Sequence, residues 1–181
     1  MLNYLKLFKS KSFRSKPIIT LLRAINLYLL DLFKVKKVIS INHYKFKFKF
    51  LYLPSLEMKS GGRGIFLYRE KIEDLLEFGH KYIYKNDHCI DGGANQGIFS
   101  LSFSSAVGPK GKIIAVEPFD YCIDHIKKNI SLNKFQNIHI CQKVLFSKSG
   151  LEKRLDYSHG VGSASITRDF GAQKYLNVRT T

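Results

Sequence analysis

The sequence predicts an α/β protein built on parallel strands, and two observations carry that prediction. From His88 onward, short apolar segments alternate with segments of helical periodicity. A glycine-rich turn, residues 92–97, stands between the first of these strands and the helix that follows it. Such alternation implies parallel strands joined by right-handed helical crossovers. At 181 residues the chain is long enough for one domain of ordinary size and short for two.

The periodicity gives bounds for each element of this region. Apolar runs of four to five residues bounded by turns predict strands, and longer runs with helical spacing predict helices. The predicted elements, in order, are a strand at His88–Ile90, a helix at Ile98–Val107, a strand at Lys112–Val116, a helix at 120–133 and a strand at Ile138–Cys141.

The N-terminal region has a different pattern. Its first sixteen residues mix Lys, Ser and aromatic residues and indicate a loosely ordered arm. From Ile18 to Lys34 the polar residues occupy one narrow helical face, and Pro17 stands where a helix can begin. This pattern predicts a helix that is mostly buried against the domain or lies on a membrane surface, and burial is the commoner case.

Residues 44–50 alternate strictly between aromatic residues and lysine, which is typical of a strand with one buried face. Tyr44, Phe46, Phe48 and Phe50 are expected to face inward. With Val38–Ile41 before it, the segment predicts an antiparallel hairpin. Aromatic and lysine residues also suit single-stranded nucleic acid, but a lysine-protected edge strand is the preferred interpretation, so no specific nucleic acid is expected.

A break at Ser60–Gly64 predicts a loop that divides the chain. We therefore expect a basic N-terminal arm, helix and hairpin lobe over residues 1–60 and a main domain over 61–181. A helix with apolar residues at Ile72, Leu75 and Leu76 is predicted from Arg69 to about Gly79.

Composition excludes several classes of protein. With 45% hydrophobic and 24% charged residues, the chain is not disordered, and its four Pro and thirteen Gly do not fit a collagen or a linker. Three Cys cannot all pair with one another, so we expect a reducing, cytoplasmic compartment. The apolar stretch Ile18–Phe33 is too short to span a bilayer and carries Arg23, so neither a spanning helix nor a signal peptide is expected.

The net charge of +16 is concentrated near the N-terminus. Up to Ser60 there are thirteen basic and two acidic residues, a net charge of +11. Such an arm suggests an anionic partner, and a peripheral contact with an anionic membrane is the partner we expect. The alternative is that the lysines only solvate the surface.

The glycine-rich turn is the motif that carries chemistry. Gly residues let the backbone approach a ligand, and Glu117 ends the next strand, where it can accept hydrogen bonds from ribose hydroxyls. A dinucleotide site would use Gly-x-Gly-x-x-Gly to seat a pyrophosphate. Here Asp91 precedes Gly93 and Gly97. A carboxylate at this place repels a pyrophosphate but suits an ammonium, which favours S-adenosylmethionine over NAD.

The run Asp91–Ser100, Asp-Gly-Gly-Ala-Asn-Gln-Gly-Ile-Phe-Ser, resembles the first motif of the FkbM-type S-adenosylmethionine-dependent methyltransferases. The resemblance extends over about residues 65–181. The further segments that carry it are 107–112, the Val116-Glu117-Pro118 step, 129–133, 145–150 and 160–163.

That resemblance implies a Rossmann-like class I methyltransferase fold, of which this chain would hold the N-terminal half of the sheet. It implies that Asp91, Gly93, Asn95 and Gly97 line the methionine and ribose part of the cofactor. Glu117 would hold the ribose hydroxyls, and Phe119 would border the adenine. The implied activity is O-methylation of a sugar or another hydroxylated metabolite, so the partner is a small-molecule or glycan acceptor.

The chain also departs from the family pattern, because the strand that carries an Ile-Asp-Val-Glu-Gly-like motif is absent before Thr181. We therefore expect an unpaired edge on the first strand, self-association through that edge and weak or no catalysis. No catalytic base is evident, since His88 and His159 are interpreted as surface or packing residues. No Cys/His spacing fits zinc, and no metal is expected.

Two other interpretations remain at this point. For Asp91, the alternative to a cofactor ligand is a strand-end cap for the following helix. For the whole chain, the alternative to a methyltransferase is a non-catalytic basic protein that docks on anionic lipid or nucleic acid.

Overall fold

The computed structural model describes residues 4–54, 62–69, 74–157, 164–166 and 175–181. Seven helices and seven strands are assigned within these ranges. The helices are α1 Tyr4–Lys9, α2 Lys11–Ser15, α3 Pro17–Leu32, α4 Gly62–Tyr68, α5 Asp74–Tyr82, α6 Ile98–Val107 and α7 Asp120–Asn133. The strands are β1 Lys37–His43, β2 Phe46–Tyr52, β3 His88–Gly92, β4 Lys112–Val116, β5 Ile138–Cys141, β6 Glu152–Asp156 and β7 Tyr175–Arg179.

The centre of the molecule is a three-stranded parallel sheet in the order β3-β4-β5. Helix α6 connects β3 to β4, and α7 connects β4 to β5, as parallel strands require. The predicted α/β class and the bounds of α6, β4, α7 and β5 are confirmed. In the part of the chain that is described, β3 pairs with β4 alone, so its other edge carries no strand.

The hairpin predicted from the alternating sequence is also confirmed. Strands β1 and β2 pair antiparallel, with Ile41 opposite Phe48 and Ile39 opposite Phe50. Phe46, Phe48 and Phe50 are buried, and the intervening lysines Lys47 and Lys49 are exposed. Tyr44 was expected to share the buried face, but it lies in the turn with φ 51° and is exposed, because the strand begins only at Phe46.

The hairpin does not stand apart from the sheet. Helices α6 and α7 lie between the three-stranded sheet and strand β2, and the three layers share one core. Phe46 and Phe50 from the hairpin and Leu101 and Ile113 from the α/β part belong to the same buried cluster. The predicted division between residues 60 and 61 lies outside the described residues, and it stays a prediction.

The N-terminal residues form helices rather than a loose arm, so that expectation is wrong. Leu7 on α1 is buried, and the Ser12 hydroxyl on α2 donates to the Tyr68 carbonyl at 3.0 Å. The Ser10 hydroxyl accepts from the Phe13 N–H at 3.1 Å and caps α2. Helices this short gain their stability from such tertiary contacts rather than from sequence propensity.

Helix α3 begins at Pro17 as predicted, but its burial is not as predicted. Its buried residues are Thr20, Ala24, Leu27 and Leu30, which form a single stripe against α2 and α4. Most of the larger apolar side chains of the helix, apart from Leu27 and Leu30, are exposed. The expectation of a helix mostly buried against the domain is therefore wrong. Among the described helices, none combines the length and the apolar composition needed to cross a bilayer.

Two further segments differ from the sequence prediction. The predicted loop Ser60–Gly64 overlaps α4, which begins at Gly62 and buries Ile65 and Phe66. The next helix, α5, begins at Asp74 and ends at Tyr82, whereas the periodicity predicted Arg69 and Gly79. Strands β6 and β7, an antiparallel pair, were not predicted at all.

Candidate cofactor site

A cavity of about 410 Å³ opens at the carboxyl ends of the parallel strands. This is the edge at which open α/β sheets bind their ligands, because the loops that follow the strands converge there. Its lining comes from the turn after β3, the segment after β4, the segment after β5 and the region of β6. The lining residues are Gly92, Gly93, Asn95, Val116, Glu117, Pro118, Phe119, Lys143, Val144, Leu145, Leu155 and Ala164.

Gly93 shapes the floor of this cavity. Its φ of 79° lies in the left-handed region, which glycine adopts without steric cost. A Cβ built at Gly93 meets no atom within 4 Å, so the space above it is open to a ligand. At this position the backbone therefore lines the cavity without a side chain.

The Glu117 carboxylate is held in the cavity by two backbone donors. Its Oε2 accepts from the Asn95 N–H at 2.7 Å, and its Oε1 accepts from the Phe119 N–H at 3.1 Å. Burial raises the pKa of Glu117, the two N–H donors oppose that shift, and the nearby charge of Asp91 adds to it. Each oxygen retains one lone pair, so the carboxylate can still accept hydrogen bonds from a bound ligand.

Asn95 lines the cavity, and its side chain contacts Cys122. Asn95 has a left-handed φ of 49°, and its Oδ1 accepts from the Cys122 thiol at 3.5 Å. Burial raises the pKa of Cys122 to about 12, and the charge of Glu117 contributes. The thiol is therefore protonated and acts as a donor rather than as a nucleophile.

Phe119 borders the cavity from a second, smaller apolar cluster. Its ring meets the Tyr157 ring edge-on, with the centroids 5.3 Å apart, and it packs with Leu155 and Val178. The antiparallel pair β6–β7 supplies these partners, so this unpredicted element forms a wall of the site. An aromatic ring fixed in this way offers a flat apolar surface to a planar ligand group.

Asp91 and Gly97 are not among the lining residues. The Asp91 carboxylate accepts from both the Ser100 N–H at 2.9 Å and the Ser100 hydroxyl at 2.6 Å, so it caps helix α6. Burial raises the pKa of Asp91, and the two Ser100 hydrogen bonds oppose that shift. Gly97, with φ 81°, is the N-cap of α6, and a Cβ there would lie 3.1 Å from Ile126.

The structure thus brings Gly93, Asn95, Glu117 and Phe119 together around one cavity, whose lining does not include Asp91 and Gly97. The Asp91 geometry is that of the helix-cap alternative. Sequence reasoning missed Lys143, Leu145 and Leu155 as lining residues. Of these three residues, only Leu145 lies in a segment that the sequence analysis had named, residues 145–150.

The described lining contains no histidine that could serve as a general base for an acceptor. The ionisable groups there are Glu117 and Lys143. His88 is exposed on β3 and does not line the cavity, and His159 lies outside the described residues. Across the residues described, no cluster of three His, Cys, Asp or Glu could hold a metal ion.

The sheet order and the position of the cavity define a Rossmann-like α/β protein. No family model matches the chain, so the FkbM resemblance stays a prediction. A curated relative, the methyltransferase sdnD of Sordaria araneosa, is 37% identical in an alignment of 68 positions that covers 29% of this chain. The chain spans 26% of the length of that relative.

Solved structures share part of the architecture. A SAM-dependent O-methyltransferase of Thermotoga maritima is 19% identical, with a TM-score of 0.39 over 58% of this chain and 41% of that one. TYW2 of P. horikoshii, solved with MeSAdo, is 19% identical, with a TM-score of 0.39 over 61% and 42%. Fibrillarin of Aeropyrum pernix, solved with S-adenosyl-L-methionine, is 19% identical, with a TM-score of 0.32 over 34% and 26%.

Proposed function

We propose that the chain binds S-adenosylmethionine in the cavity at the ends of β3 and β4 and serves in methyl transfer. The observation that carries the proposal is the buried Glu117 carboxylate, held by two backbone N–H groups beside the open backbone of Gly93. A volume of about 410 Å³ lies in the range of small-molecule sites. The methyltransferase sdnD supports the reaction class, because it is a curated relative that shares sequence with part of this chain.

The residues present fit the parts of this cofactor. The remaining lone pairs of Glu117 suit the two ribose hydroxyls, and charge-assisted hydrogen bonds of this kind are the stronger ones. The Phe119 ring suits the face of the adenine, and the backbone at Gly93 leaves room for the methionine portion. When bound, S-adenosylmethionine supplies a methyl group on a sulfonium, and the task of these residues is to bind and orient it.

The same geometry disfavours a dinucleotide. A pyrophosphate needs free N–H groups on the glycine-rich turn and at the helix N-terminus. Here the N–H groups of Gly93 and Ala94 donate to the Val116 carbonyl at 2.9 and 3.0 Å, and that of Asn95 donates to Glu117. The Ser100 N–H of α6 donates to Asp91, whose carboxylate already occupies the place of an anion.

Binding is tested by isothermal titration of the full chain with S-adenosylmethionine and, separately, with NAD. We expect binding of the first and none of the second. Glu117→Gln keeps the shape of the side chain and removes its charge, and we expect a loss of affinity of about 1–3 kcal/mol. The matched control is Asp124→Asn, which neutralises an exposed carboxylate on α7 and should leave affinity unchanged. Equal affinity of Glu117→Gln and the unmodified chain would contradict the ribose assignment.

The acceptor in this proposal is a hydroxyl of a sugar or of another small metabolite, as the resemblance to FkbM-type enzymes suggests. The described lining contains no histidine, and this proposal assigns Glu117 to the ribose, so a group outside the described lining would deprotonate the acceptor. A transfer assay with labelled S-adenosylmethionine and a panel of sugars and hydroxylated metabolites tests this step. Labelling of an amine or a thiol acceptor, with none of the hydroxyl compounds, would contradict O-methylation.

A further inference from the structure

The outward surface of helix α3 is apolar along its whole length. Nine large hydrophobic side chains of α3 and its C-terminal cap are between 44% and 75% exposed. They are Ile18, Ile19, Leu21, Leu22, Ile25, Tyr28, Leu29, Leu32 and Phe33, and we call them the α3 apolar face. Single exposed hydrophobic residues are ordinary on protein surfaces, but a contiguous set of this size marks an interaction site.

The arrangement of α3 is the reverse of that in an ordinary surface helix. At 100° per residue, the apolar face covers an arc of about 180°, within which Asn26 is the only polar residue. The stripe docked on α2 and α4 contains the small or polar residues Thr20 and Ala24 beside Leu27 and Leu30. Most of the hydrophobic surface of α3 is therefore exposed in the described fold and is available to a partner.

Basic residues border this apolar face at both ends. Exposed side chains of Lys9, Lys11, Arg14 and Lys16 precede it, and those of Lys34, Lys36 and Lys37 follow it. Within residues 1–56 the sequence contains a single acidic residue, Asp31. The Asp31 carboxylate is turned inward, where it pairs with Arg63 at 2.9 Å and accepts from the Tyr52 hydroxyl. The border of the apolar face is thus strongly positive.

This combination fits one kind of partner. A second copy of the chain would bring another +16 and like-charged borders against the face, which opposes association. Nucleic acid would satisfy the charge but not the apolar residues. A bilayer with anionic head groups offers both a hydrophobic interior and a negative surface, and basic amphipathic helices bind there.

The length of α3 restricts how the helix can lie relative to a bilayer. Sixteen residues rise about 24 Å, less than the roughly 30 Å of a hydrocarbon core. One side of α3 is also occupied by its contacts with α2 and α4. We propose that α3 lies in the plane of an anionic membrane surface, with its apolar face inserted among the lipids and the flanking basic residues on the head groups.

Co-sedimentation of the full chain with vesicles tests the proposal. Vesicles of phosphatidylcholine with about 30% phosphatidylglycerol are compared with vesicles of phosphatidylcholine alone. We expect binding to the first, a weaker association with the second, and a decline as salt is raised. No binding to anionic vesicles at low salt would overturn the proposal.

Insertion is measured directly with an introduced tryptophan, because the sequence contains none. Leu22→Trp places the probe on the apolar face, and Tyr82→Trp places it at an exposed aromatic site on α5. With anionic vesicles, we expect a blue shift and quenching by bromine-labelled lipid for Leu22→Trp and neither for Tyr82→Trp. The reverse result would assign the contact to another surface.

Two pairs of variants separate the apolar and the charged contributions. Ile25→Glu on the apolar face should weaken vesicle binding by about tenfold or more, while Phe78→Glu on α5 should not. Lys36→Glu/Lys37→Glu should weaken it more than Lys127→Glu/Lys128→Glu, which makes the same change of charge on α7. All six positions are exposed, so thermal unfolding should be little changed, and circular dichroism serves as an independent check of the fold.

Other occupants of the face would give other results. Sedimentation equilibrium that finds a dimer, dissociated by Ile25→Glu, without vesicle binding would overturn the proposal in favour of a second copy. Equal loss of vesicle binding with Ile25→Glu and Phe78→Glu would overturn the assignment to α3. None of these readouts depends on methyl transfer, so the membrane proposal and the proposed function fail separately.

Discussion

The Asn129 side chain on α7 accepts a hydrogen bond from the Leu51 N–H on β2 at 2.7 Å, across 78 positions of sequence. Four residues further along the helix, Asn133 accepts from the Lys49 N–H at 2.6 Å and donates to the Lys49 carbonyl at 2.7 Å. The His125 ring lies 2.6 Å from the Leu51 carbonyl. One face of α7 therefore satisfies the backbone of the outer edge of β2 and replaces a neighbouring strand.

Removal of this contact should destabilise the fold. Asn129→Ala removes a fully buried side chain and leaves the Leu51 N–H without its acceptor, so we expect a loss of about 1–3 kcal/mol in the free energy of unfolding. The control is Asn26→Ala, the same substitution on the exposed side of helix α3. Chemical denaturation of both variants measures the difference, and equal stabilities would contradict the role of Asn129.

The edge contact also shows what the sequence could and could not predict. The alternation of aromatic residues and lysine identified the β2 strand, because one face of a strand has period two. It could not identify what covers the edge of that strand, because the partners Asn129 and Asn133 are distant in sequence and lie on a helix. Their spacing of four residues, which places both on one helical face, was the available signal.

The candidate site was likewise predicted only in part from the sequence. The glycine-rich turn and the acidic end of β4 predicted Gly93 and Glu117, since their chemistry follows from local sequence. The wall formed by Leu155 was not predictable, because β6 reads Glu-Lys-Arg-Leu-Asp and lacks the apolar alternation of a strand. The exposure of the apolar side of α3 was not predicted either, because hydrophobicity alone does not say which side of a helix packs against the domain.

The N-terminal helices should contribute to stability, although the sequence suggested a loose arm. Leu7 is 1% exposed and belongs to the main core, whereas its neighbour Phe8 is 51% exposed. We expect Leu7→Ala to lower the free energy of unfolding by about 2–5 kcal/mol, and Phe8→Ala to change it little. Thermal unfolding of the two variants tests this prediction. Similarly small effects of both substitutions would support a loosely ordered arm.

The buried Asp91 should make stability depend on pH. Burial raises its folded pKa above the ordinary value of 3.8. A carboxyl group with a raised folded pKa contributes stability that is fully present below its unfolded pKa and lost as pH rises through the folded pKa. Asp91→Asn has no proton to lose, so the variant should gain stability relative to the unmodified chain as pH rises from about 3.8 towards neutral.

Urea denaturation of both proteins across this pH range measures the effect. Glu117 titrates in the same direction, because burial also raises its pKa, and it is present in both proteins. Asp124→Asn, the same substitution at an exposed position, serves as the control. If Asp91→Asn instead lost stability relative to the unmodified chain as pH rises, the Ser100 hydrogen bonds would outweigh the burial of Asp91.

Gly93 and Gly150 separate backbone strain from loss of a binding site. Both have a left-handed φ, of 79° and 77°, and a Cβ at either position meets no atom within 4 Å. Alanine at each should therefore cost a similar amount of stability, about 1–2 kcal/mol. Of the two, Gly93 lines the cavity, so a methyl group there occupies space that a bound cofactor needs. We expect Gly93→Ala to lower the affinity for S-adenosylmethionine severalfold in calorimetric titration and Gly150→Ala to leave it unchanged. Equal affinities of the two variants would show that the ligand does not approach the backbone at Gly93.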